Sequence, residues 1–124
     1  MACILVAEDD TQLRNFLVRS LQRAGHRVEA AADGLHAAQV LADEPVDLLL
    51  ADVTMPGLDG VELAKQVARS NPNVKIMFIT GFAAVALKRG RAVNGDAAVP
   101  PAPALSKPFH LNRLIHEVGE LLYA

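Results

Sequence analysis

Short apolar runs alternate along the chain with stretches whose apolar residues recur every three or four positions. ILVA at 4 to 7, DLLLA at 47 to 51 and VKIMFI at 74 to 79 are apolar at nearly every position. Such runs suit parallel strands covered on both faces by helices. HRVEAA at 26 to 31 is half polar and PALS at 103 to 106 is short, which assigns those two to sheet edges. Leu13, Phe16, Leu17 and Leu21 follow at helical spacing, and Gly25 supplies a stop. Asp59 with Glu62 reads as a capping box ahead of Val61, Ala64, Val67 and Ala68. Leu111, Leu114, Ile115, Val118, Leu121 and Leu122 make one apolar stripe on a last helix.

This alternation predicts an α/β fold, a (βα)5 doubly wound parallel five-stranded sheet. One segment resists the pattern. KRGRAVNGDAAVPPAPA, 88 to 104, holds two Gly and three Pro. An interior Pro costs about 3 kcal/mol and a Gly about 1 kcal/mol in a helix. A short fourth helix from about Ala83, followed by an irregular loop, is the expectation there.

Polar residues follow the strand runs: Glu8, Asp9 and Asp10 after the first, Asp52 after the third, Thr80 after the fourth and Lys107 after the fifth. With polar strands at the margins and right-handed crossovers, the sheet order is 2-1-3-4-5. All these residues then share one edge, at the switch point where open α/β sheets bind ligands. Strands 1 and 3 become neighbours, with backbones about 5 Å apart. Carboxylates gathered there repel one another unless a cation sits among them. An all-oxygen set with room for water favours Mg²⁺ over zinc or iron. Asp10 is better placed to cap the first helix than to bind metal.

Composition narrows the function further. The 124 residues suit one domain, expected to be a stand-alone unit over 1–124 without an output domain. Hydrophobic residues make up 52% and charged residues 21%, and the net charge is −2. The basic excess that nucleic-acid binding requires is missing. No apolar run reaches the ~20 residues of a membrane span, and MACILVAEDD meets acids too early for a signal peptide. Cys3 has no second cysteine to pair with, so a reducing cytoplasm is the expected location. Cys3 reads as a small core residue and the four histidines as surface residues. Lys88, Arg89 and Arg91 fit either a solvated loop or a dock for an acidic partner.

Acids around a metal could serve nucleotide binding, hydrolysis or phosphoryl transfer. No GxxxxGK[ST] loop is present to cradle ATP phosphates. EDD after strand 1 would repel the FMN phosphate of a flavodoxin, and a DxD phosphatase would want an acid where Thr54 stands. What remains is an Asp nucleophile, with Mg²⁺, taking a phosphoryl group from another protein. In that reading Lys107 supplies a positive charge and Thr80 a hydroxyl donor for phosphate oxygens.

ILVAEDD, DLLLADVTMPGLDG, FITGF and LSKPF, in this order and covering most of the chain, resemble the receiver domain of two-component response regulators. The resemblance implies that Asp52 is the phosphoacceptor. It further implies that Glu8, Asp9, Asp52 and the Thr54 carbonyl organise Mg²⁺, that Thr80 is the switch hydroxyl, and that Lys107 contacts phosphate before a cis bond to Pro108. It makes the chain a phosphoacceptor, not an enzyme in the usual sense. FITGFAAVALK and LSKPFHL are similar to single-domain cell-cycle receivers of alphaproteobacteria. That narrower resemblance implies a histidine phosphotransferase or histidine kinase as phosphodonor. It also implies an adaptor role for ClpXP proteolysis, with ClpX and its substrates as partners; a phosphate shuttle or sink is the alternative. Two features depart from the family pattern. Ala104 stands where receivers often carry an aromatic, and the segment from Thr80 to Lys107 runs a few residues long.

Overall fold

The computed structural model describes residues 2 to 53, 60 to 80, 104 to 106 and 110 to 123. In chain order it contains β1 (Cys3–Ala7), α1 (Thr11–Arg23), β2 (Arg27–Ala31), α2 (Gly34–Asp43), β3 (Leu48–Asp52), α3 (Gly60–Ser70), β4 (Lys75–Thr80), β5 (Ala104–Ser106) and α4 (Leu111–Tyr123). The five strands form one sheet in the order β2-β1-β3-β4-β5, with every pairing parallel. The sequence-based sheet order is borne out, with the half-polar strand and the short strand at the two edges. The short helix expected from Ala83, the loop over 88 to 104 as far as 103, and the Lys107–Pro108 bond lie outside the described residues.

Period-two alternation sends each central strand into two cores. Leu5, Ala7, Leu49, Ala51, Ile76 and Phe78 face Ala37, Leu41, Leu63 and Val67 of α2 and α3. Ile4, Val6, Leu48, Leu50, Met77 and Ile79 face Leu17, Leu21, Leu114 and Val118 of α1 and α4. This explains the runs without polar alternation: a strand buried on both sides has no solvent face. Each fully buried Leu or Ile contributes about 1.5–3 kcal/mol relative to exposure, so β3 is held by its leucines whatever its polar end costs.

Helix boundaries follow local chemistry. Asp10 is the N-cap of α1, with extended backbone and a side chain accepting from the amides of Gln12 and Leu13. The helix therefore starts at Thr11, two residues before its first apolar position. Gly25, at φ 101°, takes the left-handed conformation that ends the helix with least strain. Asp33 caps α2 in the same way, accepting from the His36 amide at 2.8 Å. Phe16 is 48% exposed, because the buried stripe of α1 runs through Leu17, Ser20 and Leu21 and leaves Phe16 at its flank. Asp59, half of the expected capping box, lies outside the described residues.

Candidate functional site

β1 leaves the sheet through Glu8 and Asp9. The Glu8 amide still donates to the Ala31 carbonyl at 3.1 Å, so the chain remains tied to β2 one residue beyond the strand. The Glu8 side chain is fully buried, and its Oε2 accepts from the Asp10 amide at 3.1 Å. Asp9 is exposed. On the neighbouring strand Ala51 pairs with Ala7, so Asp52 emerges beside Glu8. Asp52 is the last residue of β3 and only 5% exposed. One carboxylate oxygen from each of Glu8, Asp9 and Asp52 lies within 4.8 Å of the others.

Two full negative charges 4 Å apart repel by about 4 kcal/mol near a protein surface. A cation between such charges offsets the repulsion. Three carboxylate oxygens at this separation suit a hard, oxygen-loving divalent ion such as Mg²⁺, which keeps several waters and takes few protein ligands. Asp10 is turned to its capping role, as expected, with Oδ1 2.9 Å from the Gln12 amide.

Two residues absent from the sequence reading shape this edge. The Arg14 guanidinium donates through Nη1 to the Glu8 carbonyl at 2.9 Å and to the Asp9 carbonyl at 3.5 Å. Gly60, the first residue of α3, donates its amide to the Val53 carbonyl at 3.1 Å. A Cβ on Gly60 would collide with the Asp52 carbonyl oxygen and stand 2.9 Å from the Asp52 carbonyl carbon. The signal for Gly60 lay at the end of DLLLADVTMPGLDG, where a Gly immediately precedes the helical spacing of Val61, Ala64 and Val67. For Arg14 the i, i+6 relation to Glu8 gives no signal without the turn between them.

Thr80 closes β4, where its backbone pairs with Ser106 one register step beyond the pairing of Asp52 with Ile79. It thus stands at the same edge as the acids. Thr54 and Lys107 lie outside the described residues.

Among the described residues no histidine joins the acidic group. His36 and His110 are exposed, and His116 Nε2 lies 3.5 Å from Glu120 on the same helix. His26 corrects the surface expectation. It is half-buried, stacks on Tyr123 with ring centroids 6.4 Å apart, and has a buried Nδ1 without a hydrogen-bond partner among the described residues. Burial, followed by the charge of the amino terminus, pushes its pKa down. Cys3, expected in the core, is half-buried at the first position of β1, and its amide donates to Asp47 Oδ2 at 2.8 Å. Burial pushes its thiol pKa up, away from reactivity.

Residues 4–119 match the model of the response regulator receiver domain. The chain is 48% identical to the response regulator receiver protein CpdR of Brucella abortus, across all of this chain and 99% of that protein. It is 32% identical to part of the sensor kinase CckA of the same organism, covering 98% of this chain but 12% of the kinase. Among solved structures, the Thermotoga maritima response regulator TrrA, crystallised in complex with Mg²⁺ and BeF, superposes with a TM-score of 0.83 at 28% identity, over 98% of this chain and 100% of that one. With the sheet order, the acidic edge and these matches in agreement, the chain belongs to the response regulator receiver domain family.

Proposed function

We propose that the chain accepts a phosphoryl group on Asp52 in a Mg²⁺-dependent reaction and uses the modified state to control binding to another protein. The observation that carries this reading is the convergence of Glu8, Asp9 and Asp52 within 4.8 Å. Chemically, an Asp52 carboxylate oxygen attacks the phosphorus of a phosphohistidine on a histidine phosphotransferase or histidine kinase. The new bond is an acyl-phosphate P–O bond, and the bond broken is P–N. Its electron pair leaves with the imidazole, which takes up a proton. Glu8, Asp9, Asp52 and the Thr54 carbonyl would hold Mg²⁺, which when bound neutralises charge on the phosphoryl oxygens. Asp52 stands at the end of a fully buried strand, so its carboxylate is held in place before the donor arrives. Lys107 would contact the phosphate as a point charge. Thr80 would read the modified state through its hydroxyl.

The output we propose is that of a phosphorylation-controlled adaptor in cell-cycle proteolysis, acting in the cytoplasm on ClpX and its substrates. Full-length similarity to CpdR supports this. Similarity to a segment of a sensor kinase favours a second reading, a shuttle or sink that passes phosphate on without an output partner.

Capture on purified ClpX, with the wild type in Mg²⁺ with and without beryllofluoride and with Asp52→Ala, separates them. An adaptor binds in one state and not the other. A shuttle exchanges phosphate with a histidine phosphotransferase and ignores ClpX in every state. Thr80→Ala should still be labelled by acetyl phosphate but respond less on ClpX; an unchanged response removes Thr80 from the switch.

A further inference from the structure

Arg14 is a cation placed where helix physics disfavours one. It is the fourth residue of α1, close to a helix amino terminus that already carries partial positive charge. It is half-buried, and its Nη1 is directed at two successive main-chain carbonyls, those of Glu8 and Asp9. We infer that Arg14 is a positioning residue that holds the Glu8–Asp9 turn in the shape that binds the metal.

This role presupposes the proposed metal site of Glu8, Asp9 and Asp52, and it turns on what else restrains each acid. Glu8 is fixed by burial and by the Asp10 amide, and Asp52 by the strand that ends on it. Asp9 is exposed, so packing does little to set its direction. Anchoring the carbonyls of residues 8 and 9 fixes the peptide planes on both sides of the Asp9 Cα, and these planes set where its Cα–Cβ bond points. A ligand set must be held to within about 0.5 Å to bind well, and beside the Glu8 carboxylate, which takes the Asp10 amide, Arg14 bonds both carbonyls of this turn. The Asp10 side chain acts one residue later, on the helix amides, while the Asp10 amide bond to Glu8 leaves the Glu8–Asp9 peptide to Arg14.

Charge and positioning make opposite demands on metal affinity. As a positive charge beside a divalent ion, Arg14 should weaken binding, so removing it should tighten binding, and most at low salt where the Debye length is long. As an anchor, it should strengthen binding at any salt.

The test is Mg²⁺ titration by calorimetry of the wild type, Arg14→Met and Arg14→Lys at low and high salt, with circular dichroism confirming that each is folded. Arg27→Met serves as a control on β2, since Arg27 lies beside Glu29 at 3.8 Å. The expected result is about tenfold weaker binding in Arg14→Met, equal to about 1.4 kcal/mol, at both salt concentrations. Arg14→Lys, which keeps the charge and one donor, should recover part of the loss, and the Arg27 variant should match the wild type. Unchanged or tighter binding in Arg14→Met overturns the inference, even if that variant melts earlier. Should Arg14→Met not fold, Arg14→Lys decides alone: weaker binding than wild type supports the role and equal binding overturns it. A wild type that binds no Mg²⁺ removes the metal-site reading, and the inference with it.

Discussion

β3 begins one residue after Asp47 and ends on Asp52, and these two aspartates, five residues apart, live under opposite rules. Asp47 is exposed, and its Oδ2 accepts the Cys3 amide at 2.8 Å. It behaves as an ordinary strand-end acid, hydrated and bonded to the backbone of the next strand. Asp52 is 5% exposed and shares its surroundings with Glu8 and Asp9. The amino edge of the sheet uses charge to finish the backbone bonding. The carboxyl edge gathers three carboxylates within 4.8 Å, an arrangement that suits a divalent cation.

The largest contrast should be chemical. Asp52→Asn is expected to abolish labelling by acetyl phosphate and Mg²⁺, while Asp47→Asn keeps it. Labelling of the Asp52 variant at the wild-type rate would place the acceptor elsewhere. Next comes linkage: Mg²⁺ at a hundred times its Kd should stabilise the wild type by about 2.7 kcal/mol. In Asp52→Asn the gain should shrink. A metal-induced shift equal in both would show that Asp52 is not a ligand.

Gly60 sharpens the comparison because it presses against the backbone of Asp52. Gly60→Ala should cost about 1–3 kcal/mol as the Cβ forces main chain apart, and should slow labelling. Gly119→Ala, on α4 with open space around the added Cβ, should instead gain about 0.5–1 kcal/mol. Equal denaturation midpoints for the two variants would remove the proposed crowding.

The smallest effect belongs to the amino edge. His26 has a lowered pKa in the fold through burial first and the amino terminus second, so the unfolded chain takes up its proton more readily. Its contribution is present above the unfolded pKa of about 6.5 and is lost as pH falls toward the lower folded value. His26→Gln should flatten the decline of the melting temperature in that window. A pH profile identical to that of the wild type would leave His26 without a part in acid sensitivity.

Much of this could be read from the chain because buried parallel strands leave a strong mark. ILVA, DLLLA and VKIMFI have no polar alternation, which separates central strands from edges and, with right-handed crossovers, leads to the sheet order. The acids were legible because each follows such a run. Spacing alone could not place Phe16, because an apolar residue at the border of a helical stripe has the right spacing for either side. His26 was misjudged because its stacking partner, Tyr123, is nearly a hundred positions away.

Local sequence by itself determined the alternation of elements, the Asp10 cap, the Gly25 stop and the placing of acids at strand ends, since each depends on near neighbours or on simple periodicity. Only the tertiary structure decided that Gly60 must lack a side chain, that Arg14 reaches two carbonyls, and that Glu8 is sealed while Asp9 meets solvent. Those facts depend on how closely separate stretches of backbone approach one another, a distance no pattern of residue types encodes.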